Sequence, residues 1–160
     1  MLDINTPKGR IAAEQQAVAL GIVTQNTGIK FYTTDDTSSA GIDAFGIGDD
    51  GVVKFAAEVK SRQCTIQEFQ HAFNNEWLVT FDKLLKGADI SRMLGIYFVG
   101  YLYLVPSDIV LAARIANSVG EFVSPMRIAR TITQKTTNGG TIERTNAYIN
   151  MALARKYNAT

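Results

Sequence analysis

"AGIDAFGIGDDGVVKFAAEVKSRQ", residues 40–63, sets three charged side chains, Asp43, Glu58 and Lys60, into two apolar runs that read as strands. The runs "IDAFGI" and "VVKFAAEVK" flank "GDDG" at 48–51, a break with the glycine and aspartate content of a hairpin turn. Side chains alternate across a strand, so Val53, Phe55, Ala57 and Val59 form one apolar face while Glu58 and Lys60 share the other. Whether the loop is Asp49-Asp50 alone or all of 48–51, the hairpin pairs Ile47 with Val52 and Asp43 with Ala56. Asp43 and Glu58 then become diagonal neighbours on one face, with Lys60 one step further along.

Two carboxylates side by side repel, and when half buried each raises the other's pKa unless a cation stands between them. Mg²⁺ suits such a pair: it binds through one or two carboxylates and keeps several waters, leaving room for a phosphate oxygen and an attacking water. An adjacent ammonium can orient that water or stabilise charge developing on phosphorus. Asp43, Glu58 and Lys60 are therefore expected to act on a phosphodiester.

Outward from this hairpin the elements follow a simple order. Thr6-Pro7 reads as a helix start, with Gly21 as its stop; Ile11, Val18 and Ile22 repeat at helical spacing, and Glu14 falls inside that stripe, pointing to the core side. "IKFYTT" at 29–34 reads as a strand and "DDTSSAG" as a connection. From Thr65 to about Lys86 the pattern is helical, with Ile66, Phe69, Phe73 and Trp77 on one face and a possible break at Asn74-Asn75. "GIYFVGYLYLV" at 95–105, apolar on both faces, reads as a central strand with Gly100 as a bulge or a point of close packing. Beyond it the reading is a short helix in "PSDIVLAARIAN", a ribbon turning at Asn138-Gly139-Gly140, and a last helix in "AYINMALARKY". Helix, three strands, helix, strand is an α/β order, αβββαβ, with a mixed central sheet flanked by helices.

The 160 residues, 46% of them apolar, predict one domain with its core over about 6–105 and additions over 106–160. A formal charge of +1 excludes a generally basic coat, so affinity for phosphate has to come from a local patch. The single cysteine, Cys64, excludes an internal disulfide and a paired-thiolate zinc site, which fits an intracellular, cytoplasmic setting. No apolar run approaches a bilayer span and the start has no apolar leader, so no membrane association is expected.

Asp43, the hairpin and Glu58-Val59-Lys60, between a helix with Glu14 and a later helix and apolar strand, resemble the PD-(D/E)XK nuclease core, the restriction-endonuclease-like fold. "KGRIAAEQQAVALG" and "EVKSRQ" look most like archaeal-type Holliday-junction resolvases and related phage nucleases. The resemblance implies that Asp43, Glu58 and the Val59 carbonyl hold Mg²⁺, with Mn²⁺ able to substitute. It makes Lys60 the partner of the nucleophilic water and Glu14 and Gln63 further catalytic candidates. It also gives Lys8, Arg10, and Ser38 or Ser39 roles towards DNA phosphate or the site, with Arg62 beside them. The implied protein is a homodimeric endonuclease acting on branched or structured DNA. Ile42 stands where the family's naming proline lies, and the chain after residue 75 has no clear resolvase counterpart.

Other readings compete. The nuclease could be of restriction or phage DNA-processing type, or the chain a non-catalytic nucleic-acid-binding protein on the same fold. An assembly protein is the third class. Arg127, Arg130 and Lys135, with Arg144, Arg155 and Lys156, make the region after Pro125 basic, which is either a DNA-tracking patch or an ordinary solvated ribbon. Asp35, Asp36, Asp49 and Asp50 read as turn residues, His71 as an exposed helix residue, and Cys64 as an ordinary small side chain.

Overall fold

The computed structural model describes residues 5–34, 41–134 and 139–159. In chain order its elements are α1 (Pro7–Thr27), β1 (Lys30–Thr33), β2 (Ala44–Ile47), β3 (Val53–Arg62), α2 (Ile66–His71), β4 (Glu76–Thr80), α3 (Phe81–Leu94) and β5 (Tyr97–Leu104). After a 3₁₀ turn at Val105–Ser107 come β6 (Ile109–Ala116), β7 (Met126–Gln134), β8 (Thr141–Asn150) and β9 (Arg155–Asn158).

Thr6 starts α1 as its sequence predicts: Oγ1 accepts from the Gly9 N–H at 3.0 Å, and Pro7 fills the first turn. The helix does not stop at Gly21 but runs on to Gly28, whose φ of 77° suits only a residue without a Cβ. Ile22 and Val23 are buried beyond Gly21, and their burial outweighs the roughly 1 kcal/mol that a mid-helix glycine withdraws. The buried stripe is Gln16, Ala19, Leu20 and Val23, a quarter-turn or more away from the expected one; Ile11, Val18 and Glu14 are exposed. Glu14 therefore does not point to the core side.

A six-stranded mixed sheet runs β1-β2-β3-β5-β6-β9, with β3 and β5 parallel and every other neighbouring pair antiparallel. The parallel pair needs a crossover, and α2, β4 and α3 supply it. α1 packs on one face of this sheet through Ala19, Leu20 and Val23 against Ala57, Val59, Tyr101 and Tyr103. Against the other face lie α2, α3 and a three-stranded antiparallel sheet, β4-β8-β7, sharing one core with Ala56, Phe98, Leu102 and Leu104. No helix among the described residues is long and apolar enough to cross a membrane.

The hairpin register differs from expectation by two residues. Gly48 N–H bonds to the Val52 carbonyl at 3.0 Å, leaving an odd loop, Asp49-Asp50-Gly51, closed by Gly51 at φ 77°. That loop alone would set Asp43 opposite Ala57 and send Glu58 to the other face. A bulge at Lys54 adds the missing residue: Ile47 pairs with Val53 but Gly46 with Phe55, and so Ala44 with Ala57. Asp43 lies just before the Ala44–Ala57 pair, gives its N–H to the Ala57 carbonyl and takes the Val59 N–H on its carboxylate, which brings it beside Glu58.

The helix expected over 65–86 is three elements. Asn74 and Asn75 take left-handed φ values of 54° and 59°, break the chain after α2, and lead into β4. The helix expected in "PSDIVLAARIAN" is instead the strand β6, buried on both faces, where a continuous apolar run has no period to separate strand from helix. Ser107, in the turn before β6, supports the start of α2: its Oγ accepts from the Ile66 N–H at 2.8 Å. The ribbon of β7 and β8 forms as expected, Gln134 pairing with Thr141, while the expected last helix is the end of β8 and the edge strand β9.

Gly100 marks close packing, since the irregularity in β5 lies between Phe98 and Val99. A Cβ at 100 would come within 2.5 Å of the Trp77 ring and 2.7 Å of Ile115, so only glycine lets the second sheet settle here. Gly100→Ala is expected to lower the unfolding free energy by about 1–3 kcal/mol. Urea denaturation checks this, and an unchanged midpoint would contradict the seating of Trp77.

Candidate active site

β3 exposes its even-numbered face to α3, so Glu58 and Lys60 look away from α1, among Ala56 and the core beneath the second sheet. Glu58 is 1% exposed. A lone buried carboxylate would be several kcal/mol unfavourable, and two ammonium groups answer it: Lys60 Nζ lies 3.4 Å and Lys83 Nζ 3.2 Å from the same oxygen, Oε1. Both lysines remain about one-third exposed, at 30% and 34% of their side chains, so the cluster opens to solvent on their side.

Asp43 enters from the residue preceding β2. Its Oδ2 accepts from the Val59 N–H at 2.8 Å, which fixes the carboxylate over the Glu58-Val59 peptide. The Asp43 carboxylate is close enough to Glu58 for its charge to act on it. Burial first, and then the negative charge of Asp43, push the Glu58 carboxyl above its ordinary range; Lys60 and Lys83 pull down without cancelling this. Burial works against the Lys83 ammonium, but Glu58 and Asp43 outweigh it and hold its pKa above the usual lysine value. Four groups of balanced formal charge thus share one spot.

Lys83 escaped the sequence reading, which had extended one helix across this region. In the register of α3 it lies four residues before Gly87 and beside Leu84, on the stripe of Leu84, Gly87, Ala88 and Ser91 that is buried. A lysine on an apolar stripe was the available signal.

The remaining candidates scatter. Among the described residues no group of three or more Asp, Glu, His or Cys side chains forms, so Glu14 does not join Asp43 and Glu58. α1 packs on the sheet face opposite Glu58, which accounts for that separation. Lys8 is exposed on the first turn of α1, and Arg10 is exposed with Nη1 3.4 Å from the Asn5 carbonyl. Arg62 follows Lys60 on the same face of β3, and Gln63 is exposed just beyond it. Arg127 is held by Glu76 at 3.1 Å and stacks on Tyr148, and Arg130 pairs with Glu143 at 3.0 Å, so part of the basic region is already neutralised. Ser38, Ser39 and Lys135, like Asp35 and Asp36, lie outside the described residues.

The donor set fits a hard divalent cation. Asp43 and Glu58 offer only oxygens, they crowd each other, and the closest approach of both lysines is to one oxygen, Oε1 of Glu58. No protein-family model, curated protein or solved structure matches the chain.

The pH dependence of stability follows from Glu58. The folded state binds the Glu58 proton more tightly than the unfolded chain, so this group stabilises the fold below about pH 4.5, and that contribution is lost as pH rises through its folded value. Metal-free protein unfolded by denaturant from about pH 4 to about pH 8 is expected to lose stability across this window. Glu58→Gln should remove the slope, and Asp43→Asn should shrink it by deleting the neighbouring charge. Equal slopes in all three proteins would contradict the coupling.

Proposed function

We propose that the chain is a metal-dependent DNA endonuclease of PD-(D/E)XK type, hydrolysing phosphodiester bonds in branched or structured DNA. The observation that carries the reading is the pair Asp43–Glu58, brought side by side across the β2–β3 hairpin and flanked by Lys60 on the same strand as Glu58. In the central sheet the order of elements, α1, β1, β2, β3, then helix and β5 parallel to β3, agrees with the resemblance. The departures are β4 and α2, interposed before α3, and the second sheet that β4 founds.

The chain's own residues divide the work. Val59 N–H fixes Asp43, and Lys83 shares Glu58 Oε1 with Lys60, so that Lys60 can leave the carboxylate without stranding an uncompensated buried charge. Lys60, at the solvent side of the cluster, then orients the attacking water or meets the charge developing on the phosphoryl oxygens. Mg²⁺ held by Asp43, Glu58 and the Val59 carbonyl would supply Lewis acidity and lower the pKa of a bound water. Two coordinated cuts on a branched substrate require two such sites, hence a homodimer.

The test is incubation of purified protein with labelled four-way junction, flap, duplex and single-stranded DNA in Mg²⁺, Mn²⁺ or EDTA. Cleavage of at least one substrate is expected with metal and none with EDTA. Asp43→Asn and Lys60→Ala should each lower the rate by about a hundredfold or more. Symmetric nicks at a junction point to a resolvase, cutting at a fixed duplex sequence to a restriction-type enzyme. No cutting in either metal sinks the enzymatic reading.

A second measurement needs no substrate. Because a ligand that binds only the folded state stabilises it by mass action, Mg²⁺ or Mn²⁺ should raise the melting temperature of the wild type. Asp43→Asn with Glu58→Gln should be insensitive to either metal, and equal shifts in both proteins would remove the cation from this site.

A further inference from the structure

Glu58, Lys60 and Arg62 lie in a row on one face of β3, each about 7 Å from the next. The row ends at a cavity of about 430 Å³, within the range of small-ligand sites, walled by α2, β4 and β8. Phe73 and Tyr148 supply aromatic surface there, Glu76 a carboxylate edge, and Arg62 a guanidinium. Phe73 is 53% exposed although it follows α2 directly, an apolar ring left uncovered at the cavity.

Arg62 is the informative member. Its guanidinium gives one hydrogen bond to the Ser61 carbonyl at 2.9 Å and one to the Leu78 carbonyl at 3.0 Å, and no carboxylate among the described residues pairs with it. Burial lowers its pKa, the sign of a cation without a counter-charge. A guanidinium has five N–H donors, so three remain for an anion. Glu76 differs: Arg127 already neutralises it, so it presents acceptor oxygens without repelling a nearby anion strongly.

We propose that this cavity receives an unpaired nucleotide of the DNA, its base against Phe73 and Tyr148 and its phosphate on Arg62, one step along β3 from the reacting phosphodiester. The inference rests on the nuclease reading and sharpens it: the substrate is recognised by an unstacked base beside the cut. Aromatic rings stack any base, and Glu76 can accept from the amino edge of one. Continuous duplex cannot fill the cavity without extruding a nucleotide, which costs a few kcal/mol. Flaps, junction centres and single strands therefore bind in preference to blunt duplex.

The experiment uses the full chain carrying Lys60→Ala, so that bound DNA stays intact, in Mg²⁺. The probes are a single-stranded oligonucleotide with its adenines replaced by 2-aminopurine, and the same strand in a blunt duplex. Binding is followed by anisotropy and stacking by 2-aminopurine quenching. The single strand is expected to bind at least about tenfold more tightly than the duplex, with quenching. Adding Phe73→Ala should remove the quenching and weaken single-strand binding about tenfold while duplex binding is unchanged. Phe73 is exposed, so this variant does not depend on the folding role that Arg62→Gln would disturb through Leu78. A saturated single strand that stays bright, or a Phe73→Ala protein that binds it as tightly, overturns the pocket. If wild type cuts DNA in either case, the nuclease reading stands without it. Quenching that depends on Phe73, from a wild type that never cuts, supports the pocket and overturns only the nuclease reading.

Discussion

A carboxylate almost sealed from water sits in the middle of the central sheet, and its neighbourhood is arranged around that fact. Glu58 cannot be charged there without positive partners, which explains the two lysines on Oε1, one from its own strand and one from α3. A sheet with Leu or Val at this position would need neither lysine, and replacing buried ion pairs by apolar residues is often neutral or stabilising. The cluster is therefore an expense that stability alone does not explain. Its cause is sought in chemistry, and the crowding of Asp43 against Glu58 gives the direction.

The same constraint organises the packing. α3 has to lie close enough to β3 for Lys83 to reach Glu58, and Gly87 permits this by letting the Phe98 ring lie against the helix backbone. Gly100 does the corresponding service for Trp77. Two glycines on adjacent layers thus let helix and second sheet close over the face that carries the charges. α1 covers the opposite face and buries Gln16 as its one polar side chain below the exposure of the rest.

Much of this is legible in the sequence, for identifiable reasons. Alternation along "VVKFAAEVK" separates Glu58 and Lys60 from Val59 whatever the rest of the chain does, and Asp43 is tied to them by a hairpin only four residues wide at most. The register was less accessible, because a bulge at Lys54 has no sequence signature comparable to the glycines of the turn. Glu14 misled since Ile11 and Val18 mimic an apolar stripe, whereas the buried stripe is made of small residues, Ala19 among them, and a glutamine. In "IVLAARIA" both faces are buried, so periodicity carries no information and the strand was read as helix. Lys83 was hidden by the same kind of error: one helix drawn across 65–86 erases the stripe on which its position is unusual.

The bulge at Lys54 has a further consequence for how the hairpin can vary. Whether the two carboxylates share a face depends on a parity, the residues of the loop plus those extruded from the ladder, and here an odd loop is balanced by one extruded residue. Loss of one residue between Gly48 and Lys54 need not part Asp43 from Glu58, because the strand can absorb it by flattening the bulge. The irregularity that obscured the register in the sequence is thus a buffer, allowing the turn to drift in length while the acid pair stays on one side of the sheet.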